Sequence, residues 1–80
     1  MYIYKIVKNK YYFIESIDDD ISEFDMEEKI MTLFKKQRES RNVTNIYIKN
    51  TGISKLYYFN GTFAYVTSTY KLNENGKIKE

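Results

Sequence analysis

The stretch that decides the fold runs from residue 43 to residue 70 and reads VTNIYIKNTGISKLYYFNGTFAYVTSTY. β-branched and aromatic residues dominate it, and such residues favour extended strands. Turn residues interrupt it twice, at Asn50-Thr51-Gly52 and at Asn60-Gly61. Asn-Gly between apolar runs is a strong hairpin signal, because both residues tolerate positive φ. The pattern therefore predicts three strands, at about 43–49, 53–59 and 62–70.

The residues before this stretch predict a further hairpin and one helix. Residues 2–8 and 11–17 are again rich in β-branched and aromatic residues, and Asn9-Lys10 separates them. Further along, apolar residues recur at three- and four-residue spacing, the period of an amphipathic helix, which we place at about 21–39. Two capping patterns fit its start, Asp20 with Glu23 and Ser22 with Asp25. A basic cluster closes it, where the helix dipole favours cations.

The predicted fold is α+β, an antiparallel sheet of about five strands in the order β-β-α-β-β-β with one helix packed on one face. The whole chain, 1–80, is expected to be a single domain, because 80 residues support only one core. Its polar tail, 73–80, is expected to fray, after at most one short turn at Asn75-Gly76.

The two faces of the predicted sheet differ in composition. A two-residue turn at Asn60-Gly61 pairs Tyr58 with Phe63, and side chains then alternate across each strand. The more aliphatic face is expected under the helix: Ile46, Ile48, Ile53, Tyr57, Phe59, Ala64 and Val66. The other face is rich in tyrosine: Tyr47, Leu56, Tyr58, Phe63 and Tyr65. One helix covers one face, so we expect the tyrosine-rich face to contact a partner unless the first hairpin folds over it.

The charge of the chain is divided between two regions. Residues 15–28 contain eight acidic residues and no Lys or Arg, whereas the remainder contains all thirteen basic residues and three acidic ones. Helix capping explains three or four of those acids but not the whole set. The segment is therefore predicted to dock into a basic groove of a partner, with Asp18, Asp19, Asp20, Glu23 and Glu27 as contact residues.

Enzymatic function is not expected. The chain has no Cys and no His, which removes the usual activated nucleophiles and zinc ligands. Its three glycines do not have the spacing of a phosphate-binding loop. Asp18-Asp19-Asp20 lacks the glycine and the terminal glutamate of a calcium-binding loop. We therefore expect no catalytic residue, no cofactor and no metal. The N-terminus lacks the order of a signal peptide, and the expected location is the cytoplasm.

In size, residue bias, absence of Cys and His, and divided charge, the chain resembles the small proteins encoded by phages and mobile elements of AT-rich bacteria. Anti-CRISPR and other anti-defence inhibitors are the best-known functional group among them. The resemblance is one of composition over the whole chain, and it assigns no functional residue. It implies an inhibitor that binds a basic host nucleoprotein or defence complex in the host cytoplasm and acts by steric occlusion.

Two alternatives remain open. The first is a small nucleic-acid-binding protein or phage regulator that uses the basic helix end, Lys35, Lys36, Arg38 and Arg41. The tyrosine-rich face supports it poorly, because Lys49 is the only cation that the sequence places there. The second is a structural subunit that forms homo-oligomers through an exposed edge strand.

Overall fold

The computed structural model describes residues 1–36, 46–58 and 63–79. These residues form five strands and one helix in the predicted order. Their bounds are β1 Tyr2–Val7, β2 Lys10–Ser16, α1 Glu23–Lys36, β3 Tyr47–Asn50, β4 Ser54–Tyr58 and β5 Phe63–Ser68. The α+β prediction is confirmed, since all five strands belong to one antiparallel sheet.

The strand order across the sheet is β2-β1-β5-β4-β3. β1 pairs with β5, so the first hairpin extends the sheet instead of folding over its tyrosine-rich face. The turn of this hairpin consists of Lys8 and Asn9, both at positive φ, one residue before the predicted Asn9-Lys10. Positive φ at two successive turn residues matches the right-handed twist of the flanking strands. The sheet consequently has two edges, β2 and β3.

Helix α1 begins at the second of the two predicted capping patterns. The Ser22 hydroxyl accepts a hydrogen bond from the Asp25 backbone N–H at 3.1 Å, and the Ser22 carbonyl accepts one from the Met26 N–H at 3.0 Å. Glu23 and Asp25 lie in the first turn, and Lys35 and Lys36 in the last, so both ends complement the helix dipole. The predicted continuation to residue 39 lies outside the described residues.

The main core lies between α1 and one side of the sheet, which we call the helix side. Met26, Ile30 and Phe34 are the buried residues of α1. They pack against four buried sheet residues, Ile3, Tyr57, Phe63 and Tyr65. The Phe34 ring stacks on Phe63 at 5.5 Å and meets Tyr65 edge-on at 4.9 Å. Aromatic pairs in this geometry add to the stabilisation that burial gives.

The pairing of β4 with β5 differs from the prediction by one residue. Tyr58 pairs with Ala64, and Tyr57 pairs with Tyr65, whereas a two-residue turn would pair Tyr58 with Phe63. Side chains alternate, so a shift of one residue in one strand moves all its side chains to the other face. Phe63 and Tyr65 are therefore on the helix side, and placing them on the tyrosine-rich face was wrong. The predicted Asn60-Gly61 turn itself lies outside the described residues.

The side of the sheet opposite the helix, the far side, has a smaller core of its own. Tyr4, Val66 and Leu72 are buried there. Leu72 belongs to the C-terminal segment 69–79, which we call the tail. The Leu72 N–H donates to the Tyr4 hydroxyl at 2.7 Å, and the Tyr11 N–H donates to the Glu74 carbonyl at 2.9 Å. The expectation of a frayed tail is therefore wrong up to Lys79.

Candidate functional site

The acidic segment lies at the end of β2, in the following loop and along the first turns of α1. Three of its eight acids form ion pairs: Asp19 with the N-terminal ammonium group, Glu15 with Lys29 at 3.1 Å and Glu23 with Lys55 at 3.0 Å. The other five form no ion pair within the described residues: Asp18, Asp20, Asp25, Glu27 and Glu28. All five are exposed except Glu27, which is half-buried. We call these five residues the acidic surface.

A cleft of about 240 Å³ lies beside the acidic surface, between the start of α1 and the adjoining ends of β4 and β5. Ile21, Met26 and Ile53 supply apolar lining, and the Lys55–Glu23 ion pair spans from the sheet to the helix. The buried Tyr57 lines the cleft as well. A cleft of this size accommodates one side chain of a partner better than a whole small-molecule ligand.

Two ionisable groups of the cleft, Lys55 and Tyr57, keep their ordinary protonation state at neutral pH. A hydrogen bond to the Glu23 carboxylate raises the pKa of Lys55, so this ammonium group stays charged. Burial raises the pKa of Tyr57, although a hydrogen bond with Thr67 opposes it, so Tyr57 stays a neutral phenol. A catalytic base works best when its pKa lies near the working pH. The pKa values of Lys55 and Tyr57 are both shifted away from neutral pH.

The predicted contact residues of the tyrosine-rich face separate into two sets. Tyr47 and Tyr58 remain on the far side and are 55% and 41% exposed. Their rings stack with centroids 5.4 Å apart. Leu56 lies beside them, half-buried against the far-side core. Phe63 and Tyr65, at 7% and 1% exposure, cannot contact a partner in the folded protein, which corrects the prediction.

Lysines accompany the exposed tyrosines on the far side. Lys49 pairs with Leu56 and therefore projects from the same side of the sheet. Lys71, Lys77 and Lys79 belong to the tail that covers part of this side. These lysines could not be placed from the sequence, because the tail was expected to fray. The sequence does contain a signal for an ordered tail: Leu72 and Ile78 lie on either side of the possible turn at Asn75-Gly76. In the structure these two residues form a β-bridge.

The acidic surface and the exposed tyrosines lie on opposite sides of the sheet. The acids belong to α1 and the loop before it, and α1 packs on the helix side with Tyr57 and Tyr65. Tyr58 is adjacent to Tyr57 in β4 and projects to the other side. A single flat interface cannot include both surfaces. The acidic surface and the exposed tyrosines are therefore two separate candidate interfaces.

The residues of the nucleic-acid alternative are only partly described. Lys35 and Lys36 are exposed in the last turn of α1, while Arg38 and Arg41 lie outside the described residues.

The alternative of homo-oligomers concerns the two edge strands. Both expose apolar side chains, Phe13 at 57% on β2 and Ile48 at 41% on β3. Pairing of two copies of the chain through such an edge stays a prediction.

Within residues 1–36, 46–58 and 63–79, no three acidic side chains are placed to hold a metal ion together. No helix there has the length and apolar character needed to cross a bilayer.

Comparison with known proteins gives this chain no relative: no family model, no curated protein and no solved structure matches it.

Proposed function

We propose that this protein is a non-enzymatic binding module whose acidic surface docks into a basic groove of a partner protein. The observation that carries the proposal is that five of the eight clustered acids have no ion pair within the described residues. The intended partner is a host nucleoprotein or defence complex, and the protein would inhibit it by occupying a groove that otherwise holds nucleic-acid phosphates.

Local structure accounts for only part of the acidic cluster. Ser22 already caps the helix, and Asp25 in the first turn complements the dipole. Glu27 and Glu28 lie beyond that first turn, where the dipole contributes little. Asp18 and Asp20 precede the cap and are exposed. Like charges held close together repel each other, so the cluster is better explained by an opposite charge on a partner.

A partner with a basic groove would gain both association rate and specificity from this surface. Complementary charge accelerates encounter, and it disfavours acidic competitors. The neighbouring cleft adds an apolar recess in which a partner side chain can be desolvated, as contact residues that dominate binding usually are. Ile53, 44% exposed at the cleft, is available for such a contact.

The test compares capture of host proteins by matched variants. The triple variant Asp18→Lys/Asp20→Lys/Glu28→Lys reverses most of the acidic surface, and Glu28→Lys reverses one residue of it. The matched control is Glu74→Lys, an exposed glutamate of the tail. Each variant, immobilised, is mixed with host lysate treated with nuclease, and the bound proteins are identified by mass spectrometry.

We expect wild type and Glu74→Lys to retain the same nucleic-acid-binding protein, Glu28→Lys to retain less and the triple variant to lose it. The retained protein, purified and loaded again with nucleic acid, should release that nucleic acid when wild type is added. Equal capture by the triple variant and the control would refute the proposal, as would capture of a protein that keeps its nucleic acid bound.

A further inference from the structure

We infer that the far side of the sheet binds single-stranded nucleic acid, through the exposed rings of Tyr47 and Tyr58, the neighbouring Lys49 and the lysines of the tail, which lie toward the other end of this side. This site is separate from the acidic surface and from the basic helix end. It does not depend on the proposed protein partner.

The two tyrosines have the geometry of a stacking platform. Their rings are nearly parallel, with an interplanar angle of 24°, and both are substantially exposed. They are cross-strand neighbours on β3 and β4, so the sheet fixes their positions. Unpaired bases stack on exposed aromatic rings of this kind with little dependence on sequence. Paired bases are already stacked within a duplex and do not present their faces.

The charge on this side complements a phosphate backbone. Among the described residues, the strand β3 and the tail contribute four lysines, Lys49, Lys71, Lys77 and Lys79, against one acid, Glu74. The acidic surface is on the other side of the sheet. Lys71 lies 5.9 Å from the centroid of the Tyr2 ring, which marks the opposite end of this surface. Phosphate contacts by lysines supply most of the affinity of sequence-independent binders.

The dimensions of the surface fit an extended strand. Tyr2 lies on β1 and Tyr47 on β3, three strand positions apart in the order β1-β5-β4-β3. Across the strands this is about 14 Å at the usual spacing. Tyr47 aligns through Tyr58 and Ala64 with Ile6, so Tyr2 is also displaced by four residues along the strands, about 13 Å. The resulting diagonal of about 20 Å is enough for a few nucleotides. Leu56, which is half-buried, lies beside the two exposed rings on this side. Cations at both ends together with the exposed, nearly parallel rings of Tyr47 and Tyr58 favour a nucleic-acid strand, because bases stack on such rings while phosphates pair with the cations.

The experiment measures fluorescence anisotropy of labelled oligothymidylate of about 15 nucleotides, within the site sizes of known single-strand binders. A duplex of equal length is measured in parallel. The variants are Tyr47→Ala/Tyr58→Ala, Tyr47→Phe/Tyr58→Phe and Lys49→Ala. The matched control is Tyr12→Ala, which removes a tyrosine of similar exposure, 54%, from strand β2. Thermal unfolding confirms that each variant folds.

We expect micromolar binding of the single strand at about 50 mM salt, weaker binding of the duplex and loss of affinity as salt rises. The double alanine variant should bind at least about tenfold more weakly, because stacking is lost. The double phenylalanine variant and Tyr12→Ala should bind like wild type. Lys49→Ala should reduce the slope of log affinity against log salt by about 0.7, the value for one contact with a single strand.

Four results would overturn the inference. The first is no binding of the single strand at low salt, and the second is equal binding of the duplex. The third is unchanged affinity in the double alanine variant together with loss in Lys35→Ala/Lys36→Ala, which would place binding at the helix end. The fourth is capture of a partner protein through Tyr47 and Tyr58 without any nucleic-acid binding. If the double alanine variant fails to fold, Lys49→Ala still decides the question, because an unchanged salt slope in this variant would overturn the inference.

Discussion

Tyrosines have different roles on the two sides of this sheet, although they are neighbours in sequence. On the helix side, Tyr57 and Tyr65 are a cross-strand pair that α1 covers almost completely, at 2% and 1% exposure. On the far side, Tyr47 and Tyr58 are also a cross-strand pair, but no helix covers them. The covering element, rather than the residue type, decides whether a tyrosine stabilises the fold or is available for binding.

The largest expected effect separates these two roles. Tyr65→Ala removes a buried ring that contacts Phe34 and Phe63, and it should cost about 3–5 kcal/mol. A chain of 80 residues is typically stable by only about 4–12 kcal/mol. Tyr58→Ala is the matched control and should cost no more than about 1 kcal/mol. Chemical denaturation measures both, and equal losses would remove the distinction between the two sides.

The next effect concerns the tail, which covers part of the far side. Gly76 has φ +80°, and a Cβ placed on it would lie 2.4 Å from the Tyr11 ring carbon Cζ. Gly76→Ala should therefore cost about 2–3 kcal/mol, from backbone strain together with the clash, and it should loosen the tail. Gly52 has φ +89° with nothing within 4 Å of its Cβ position, so Gly52→Ala should show strain alone, about 1 kcal/mol.

Hydrogen exchange at the Leu72 amide reports on the tail directly, because this N–H is bound to the Tyr4 hydroxyl. It should exchange faster in Gly76→Ala than in Gly52→Ala. Equal protection in the two variants would mean that the tail does not depend on the turn at Gly76.

The helix cap gives a smaller effect. Ser22→Ala removes the acceptor of the Asp25 N–H and should lower stability by about 1 kcal/mol. Asp20→Ala tests the other capping pattern and should change stability by less than about 0.5 kcal/mol. Thermal unfolding of the two variants distinguishes them. A larger loss in Asp20→Ala would place the helix start two residues earlier and would move the acidic surface with it.

Alkaline pH should lower stability through the cleft on the helix side. Burial raises the pKa of Tyr57 above 10.0, so the unfolded chain loses this proton first, and stability falls from about pH 10 up to the folded pKa. The Glu23 carboxylate raises the pKa of Lys55 above 10.5, so its contribution is present below that pH and is lost as pH rises through the folded pKa. Both groups act in the same direction.

Two variants separate these contributions when denaturation is repeated from pH 8 to pH 11. Tyr57→Phe should show a shallower alkaline fall than wild type, and the same fall in both would exclude Tyr57 as a cause. Glu23→Gln should change stability at pH 8 by at most about 0.5 kcal/mol, because the ion pair is largely exposed.

The elements that the sequence predicted well depend on local interactions. The helix follows from features within its own segment of the chain. These are the four-residue spacing of Met26, Ile30 and Phe34 and the cap that Ser22 provides. The order of elements and the first hairpin follow from strand propensity and turn residues, although the turn itself was displaced by one residue.

The features that the sequence did not predict depend on distant contacts. The pairing of Tyr57 with Tyr65 is favoured by the space under α1, which a turn signal does not report. The placement of the tail depends on Leu72 reaching Tyr4, 68 residues away in sequence. The clustering of acids could be predicted from the charge pattern of the sequence. Their position on the side of the sheet opposite Tyr47 could not, because it depends on which side α1 covers.

The most direct test of this account is nitration of the native protein by tetranitromethane, with the modified tyrosines identified by mass spectrometry. The reagent modifies accessible rings, so the structure predicts nitration at Tyr47 and Tyr58 and protection at Tyr57 and Tyr65. Tyr65 is the most informative residue. If a two-residue turn joined β4 to β5, the pairing would place Tyr65 on the far side of the sheet, which α1 does not cover. In the observed pairing with Tyr57 it lies under α1 and is 1% exposed. Nitration of Tyr65 as fast as Tyr47, in a protein that remains folded, would contradict the placement of Tyr65 under the helix and of Tyr47 on an exposed side of the sheet.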